Sequence, residues 1–450
     1  MSGIADIVAI SIAIQDSAPK AVEFDTIAIM CKAPFAGGRL YPITPQGLAS
    51  MVTDTFTTHS RAYQIMARMA GQVGGAAEAY VWGRTAQQTQ LLELIPDITV
   101  LAVGSVIAFS ISYAGVTSSI SVTVAANTVD AICDLLVTAI GASAAGIAGI
   151  VATPDNATAT KITLSNAVPG TFVQLDGFPK SIMLEDVSVA GTSFSAELAA
   201  MKADLGESVY GLLIDGFSQT EIALAAAFAE ANGMIFLGQS ADNELLTSDT
   251  DDVATTMKTA GYNRSAVCFS RYMTGDFAAA LLGYQLGQTP GSSNWAMTQL
   301  SGVSADVLTS AAHTIARGKR ALTYTTDRGE AHTWDGFAAS GRFFDLTHGA
   351  DALKADMETR CYQVFLNAKK VPFNATGVAM LEAPMRAALS AAEGNVAEAG
   401  LIEPGWTVTM PNLVGYSAVD KAARHLRTAY FTAVLTGAVN KLTIAGTLTL

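Results

Sequence analysis

Val209-Tyr-Gly-Leu-Leu-Ile214, followed by Asp215-Gly216, is an apolar run too short for a helix and closed by turn residues. It reads as a buried strand. Working outward, Gln219 to Asn232 is helical and Gly233 caps it. Met234 to Leu237 is a second strand, Asp251 to Ala260 a helix stopped by Gly261, Ser265 to Phe269 a third strand and Asp276 to Leu286 a third helix. Strand and helix alternating at this spacing predict a parallel α/β sheet. Ligands in such sheets gather outside the carboxyl ends of the strands, which here carry Asp215, Gly238, Gln239, Ser270 and Arg271.

Upstream, Thr26 to Cys31 and Glu78 to Trp82 read as strands, and Ser60 to Ala70 as a helix. Lys32 to Pro45 contains Pro34, Gly37, Gly38, Pro42 and Pro45 and reads as loop. Thr44 is placed to cap a helix opened by Pro45. Residues 95–195 have a different texture, rich in Thr, Ser, Val and Ala and poor in charge. A hairpin spans Ser105 to Val124 around Gly115, and a helix runs from Thr128 to about Gly141. Two further strands are expected at Lys161 to Leu164 and Phe172 to Leu175, making a β-rich module inserted into a larger domain. Helices are expected at Ser195 to Leu205, Ala305 to Arg317, Ala350 to Leu366 and Met380 to Glu393. Gly400 to Gly405 is a turn and Trp406 to Met410 a strand. Ala418 to Ala429 is a helix or an extended basic segment.

Both ends of the chain alternate. Ile4, Val8, Ile10, Ile12 and Ile14 share one face of an extended strand, as do Leu442, Ile444, Leu448 and Leu450. An unpaired strand with an apolar row is a template for association. Each end either pairs with its own body or adds to a sheet in a neighbouring copy.

Only 14% of residues are charged, against roughly 25% in ordinary globular chains. So little charged surface suggests that part of it is covered in an assembly. The net charge of −13 argues against nucleic acid as a partner. Cys31, Cys133, Cys268 and Cys361 are widely spaced and form no C-x-x-C, so buried free thiols in a reducing compartment are expected. The start has no basic n-region and Asp6 interrupts its apolar run, so no secretory signal is expected. The charge-free span between Asp97 and Asp130 alternates apolar with small polar residues, which is strand patterning and not a membrane helix.

Catalytic motifs are missing. There is no phosphate-binding G-x-x-x-x-G-K-[ST], no G-x-G-x-x-G after the core strands and no G-x-S-x-G elbow. The five histidines form no metal-ligand pair, and no cofactor or metal is expected. Asp327 to Gly336 is the densest polar cluster and reads as a solvated loop or an intersubunit contact. Asp249, Asp251 and Asp252 fit the start of the next helix, where carboxylates complement the dipole. From Gly405 onward, Lys421, Arg424, Arg427 and Lys441 face Asp420 alone. Lys421, Arg424 and Arg427 would share one helix face, either solvated or turned to an acidic partner.

Gly341 to Leu346, Lys354 to Leu366, Gly377 to Gly405 and Arg424 to Leu450, taken with the split core, resemble the tail sheath proteins of contractile-tailed bacteriophages, the Mu-like and related groups included. The resemblance covers the core, about three-quarters of the chain, and not the inserted module. It implies an α/β (α+β overall) fold: a split α/β sheath core, an inserted β-rich domain and extended N- and C-terminal strand arms. The boundaries would be an arm at 1–20, core at 21–94 and 196–431, an insertion at 95–195 and a linker with arm at 432–450. It further implies a structural, non-enzymatic subunit of stacked hexameric rings around an inner tail tube. Baseplate and tail terminator proteins would be further partners, and the virion tail the location. Ile4 to Ile14 and Leu442 to Leu450 would be exchanged between subunits. Thr432 to Asn440 would be the swinging linker, and Lys421, Arg424 and Arg427 candidates for the tube contact. The alternative is an α/β enzyme or ligand-binding protein using Asp215, Gln239 and Arg271.

Overall fold

A computed structural model describes residues 24–143, 150–206, 209–393, 400–414, 416–438 and 440. The described residues form two compact units, one built from 24–288 with 295–344 and the other from 289–294 with 345–440.

The larger unit begins with β1 (Thr26–Cys31), buried along its whole length. Next comes β2 (Gly37–Pro42), antiparallel to β3 (Glu78–Gly83). The loop expected over Lys32 to Pro45 is thus partly an edge strand, which its glycines and prolines disguise. Between them lie α1 (Pro45–Thr53) and α2 (Arg61–Ala70). Thr44 caps the first by accepting from the Gly47 amide, and Ser60 caps the second by accepting from Tyr63.

The inserted module follows. Its strands are β4 (Leu91–Pro96), β5 (Val106–Tyr113), β6 (Val116–Thr123), β7 (Ile150–Pro154), β8 (Ile162–Asn166), β9 (Gln174–Asp176) and β10 (Ile182–Asp186), with α3 (Val129–Ser143) between β6 and β7. They make two sheets, β10-β4-β8-β7 and β6-β5-β9. The β5–β6 hairpin turns at Ala114 and Gly115, both at positive φ, as two-residue hairpin turns require. Leu92, Leu94, Ile111, Ile132, Leu136 and Ile162 share one core. β4, most of which precedes residue 95, pairs with β8 and β10 of the module, and Thr89 bridges Val189.

The chain then returns through α4 (Phe194–Leu205), β11 (Gly211–Ile214), α5 (Gln219–Asn232), β12 (Ile235–Ser240), α6 (Val253–Ala260), β13 (Ser265–Phe269), α7 (Phe277–Gln285), α8 (Ser310–Lys319), β14 (Leu322–Asp327) and β15 (Glu330–Thr333). The main sheet runs β15-β14-β13-β12-β11-β1-β3-β2, parallel except at its two outer strands. Both faces are covered. Ile27, Ile29 and Cys31 pack with Ile65, Met66 and Leu282, while Ala28 and Met30 pack with Leu198, Ile222 and Met257. Strands buried on both faces read as continuous apolar runs, which is why β11 to β13 were legible. Asp327 to Gly336 is not a loop throughout. Its first half is the β14–β15 hairpin, turning at Arg328 and Gly329. The helix expected from Ala305 starts at Ser310, because Asp306 bridges Thr325 of β14.

In the smaller unit, α9 (Phe344–Asn367) buries Leu353, Met357 and Cys361 at four-residue spacing. α10 (Ala375–Ala392) answers with Met385 and Leu389, and Leu401, Ile402 and Val408 complete the core. β16 (Thr407–Thr409), α11 (Ala418–Ala422) and β17 (Tyr430–Thr432) follow, with β16 and β17 paired antiparallel.

Candidate functional site

In the main sheet the strand order reverses between β1 and β11, so any ligand crevice would open at their carboxyl ends. The polar groups at that place are engaged with one another. The Lys32 amide, just past β1, donates to Asp215 Oδ2 at 2.7 Å, just past β11. Arg84, just past β3, lies 3.2 Å from Asp215 Oδ1 and 3.0 Å from Glu221 Oε2, and all three side chains are removed from water. The Gly191 amide donates to Glu221 Oε1 at 2.9 Å, tying in the segment that leaves the module. Burial pushes the Glu221 carboxyl above its ordinary value, and Arg84 works against that.

The other two residues of the alternative reading are also spent on structure. Gln239 Oε1 accepts from the Ala278 amide in the first turn of α7 at 3.1 Å. Arg271 donates through its backbone to Asp306 Oδ1 at 3.0 Å and through its guanidinium to the Phe178 carbonyl of the module at 3.4 Å. Asp215, Gln239 and Arg271 therefore do not converge on a shared site.

Above them sits the module. Phe217, Ala241 and Met273, which follow β11, β12 and β13, belong to the module's apolar core and not to the sheet's. Phe172 meets Phe217 edge-on with centroids 5.5 Å apart, and the Leu175 amide donates to Met273 Sδ at 3.4 Å. A cleft of about 590 Å³ remains at the joint, reaching Lys32 and Asp215 at the strand ends and lined also by residues 55–61 of the core and the hairpin tip around Gly115. Its Arg61 is taken up by Asp276 at 2.8 Å. Burial pushes the Cys31 and Cys268 thiols well above their ordinary value, so neither is poised as a nucleophile. Among the described residues no group of three His, Cys, Asp or Glu could hold a metal, and no helix is long and apolar enough to cross a membrane.

The smaller unit offers a different kind of site. Among the described residues β16 and β17 make a two-stranded sheet, each strand three residues long, joined also by a 2.7 Å hydroxyl contact between Thr407 and Thr432. Pairing runs on past β17: Ile402 bridges Leu435, the Glu403 amide donates to the Val434 carbonyl, and the Thr436 amide donates to the Leu401 carbonyl. The first half of the expected linker is thus pinned to its own unit. Two-stranded sheets are marginal alone and have edges to extend. The arm residues Ile4, Val8, Ile10, Ile12, Ile14, Leu442, Ile444, Leu448 and Leu450 lie outside the described residues.

Lys421, Arg424 and Arg427 are exposed, but they share no helix face. α11 ends at Ala422, Arg424 has φ +56°, and the Arg427 guanidinium stacks 4.5 Å over the Tyr416 ring. The Arg427 amide also donates to the Tyr416 hydroxyl at 2.7 Å. The periodicity was real, but the backbone turns out of the helix before it can act.

No protein-family profile matches the sequence, and no curated protein matches it. Solved structures do. The contracted helical sheath of the anti-feeding prophage aligns over 98% of this chain and 98% of its own, at 11% identity and TM-score 0.50. The contracted sheath complex of an extracellular contractile injection system, PVC, aligns over 98% and 96%, at 8% identity and TM-score 0.51. The chain has the sheath-protein fold. At such identities the likeness is one of architecture.

Proposed function

We propose that this chain is the structural subunit of a contractile sheath. It assembles as stacked hexameric rings around an inner tube, between a baseplate and a terminator, in a phage tail or a related injection particle. Contraction drives the tube through the host envelope. The work comes from the free-energy difference between two packings of the same subunits, with no substrate turned over. The observation that carries this is the end-to-end alignment with two sheath subunits. The mutual pairing of Arg84, Asp215 and Glu221 at the strand ends supports it against the enzyme reading.

In this reading the strands at Ile4 to Ile14 and Leu442 to Leu450 extend the β16–β17 sheet of neighbouring copies. Lys421 and Arg424 reach toward an acidic tube surface. Negative-stain electron microscopy of the purified chain tests the proposal. Striated hollow tubes are expected. Compact particles of fixed size, with a melting temperature raised by a small ligand, would favour the α/β enzyme or binding protein instead. Removal of residues 442–450 should abolish the tubes while the chain still folds.

A further inference from the structure

The geometry points to the β5–β6 hairpin of the inserted module, with the loop before it, as a surface that takes a second copy of this chain. The inference stands apart from the strand arms. It begins with how the sheet edges are protected.

Outer strands are normally guarded by charge, proline or brevity. On the main sheet β2 carries Arg39 and Pro42, and β15 carries Glu330. In the module β7 ends in Pro154, β10 ends in Glu185 and Asp186, and β9 has three residues, one of them Asp176. β16 and β17 have three residues each. β6 is different. It is eight residues long, Val-Thr-Ser-Ser-Ile-Ser-Val-Thr, and pairs only with β5 among the described strands. It has no charge and no proline.

Beside its last residue lies an apolar patch. Val106 pairs with Thr123, and Val100, Val103 and Val106 are 62%, 67% and 61% exposed. The loop that bears them is held firmly. The Thr99 amide donates to Asp97 Oδ1, Ala102 to Ser105 Oγ, and Gly104 to the Val124 carbonyl. Leu101 is buried as its anchor. These valines are displayed by an ordered backbone, and such a display marks an interaction site.

Charge selects the occupant. The chain as a whole is at −13, yet nothing ionised lies between Asp97 and Asp130. Copies of an acidic protein approach each other most easily where neither carries charge. A lipid surface would call for basic and aromatic residues around the valines, and this span has no Lys, Arg or Trp. A strongly charged protein partner would find only Asp97 beside the valines, and Thr99 already holds that carboxylate. A second module, edge added to sheet, satisfies both the open backbone and the valines.

Sedimentation velocity on the chain ending at Lys441 tests this, because that chain lacks the C-terminal arm. Its sedimentation coefficient should rise with concentration. Ser121 and Thr123 are exposed on β6. The pair Ser121→Lys and Thr123→Lys should weaken that association by about a hundredfold or more, as like charges opposed across an interface do. Its melting temperature should be unchanged, and Ser121→Gln with Thr123→Gln should associate like the parent. A parent that stays monomeric throughout, or a lysine pair that associates equally well, overturns the inference. If the shortened chain still builds tubes, the arm-exchange reading fails. The hairpin surface is then upheld if the lysine pair stops those tubes and overturned if it does not.

Discussion

Arg84 and Asp215 meet 3.2 Å apart at the point where the strand order of the main sheet reverses, both of them out of reach of water. A guanidinium there also contacts Glu221, so one cation serves two carboxylates. Removing one partner of a buried pair leaves the others uncompensated. Arg84→Ala should cost about 3–5 kcal/mol of stability. Urea unfolding of the chain lacking residues 442–450 would measure it. A cost near zero would mean that water reaches this joint.

The two strands of chain that connect core and module touch backbone to backbone. A Cβ at Gly191 would lie 2.7 Å from the Ala86 carbonyl carbon. Gly191→Ala should therefore destabilise by about 1–3 kcal/mol through overpacking. Thermal melting would show it, and because Gly191 is not at positive φ the effect would report crowding and not backbone strain.

Stability should also respond to pH through Asp186. Burial, opposed by hydrogen bonds from Ser188 and reinforced by the nearby carboxylates of Asp242 and Glu221, pushes its carboxyl up to about 7. The folded protein then holds this proton more tightly than the unfolded chain does. The favourable contribution is complete below the ordinary carboxylate range, near pH 4, and is lost as pH climbs through about 7. Asp186→Asn should raise the melting temperature at pH 8 and change it little at pH 4. An equal shift at both would assign the effect to packing.

On the proposed function, reversing exposed charge near the C-terminus should separate tube binding from self-assembly. Lys421→Glu with Arg424→Glu should weaken co-sedimentation with the inner tube while sheath-only polymers still form. Arg427 is left alone because it stacks on Tyr416. Unchanged co-sedimentation would place the tube contact elsewhere.

Much of the architecture was readable because the physics was local. β11, β12 and β13 are wholly buried and mostly apolar, and the helices α5 and α6 between them end on Gly233 and Gly261 in left-handed conformation. The strands that escaped notice were those whose signal is split with a distant partner. β4 reads Leu-Leu-Glu-Leu-Ile-Pro, and its Glu93 makes sense only beside Lys161, 2.6 Å away on the neighbouring segment. β14 and β15 are too polar at their turn to stand out. The Arg84 network was invisible for the same reason, since Arg84 and Glu221 are 137 residues apart in sequence. An arginine directly after a buried strand, as in Trp82-Gly83-Arg84, was the one available hint.

Thr89 and Val189 bridge each other, so the hundred residues between them come and go through a single doorway. Such a segment invites exchange for another of different size. Yet Phe217, Ala241 and Met273 would then be stripped of their cover. Any replacement cassette must bring its own greasy underside, and that requirement narrows which grafts would leave the host soluble.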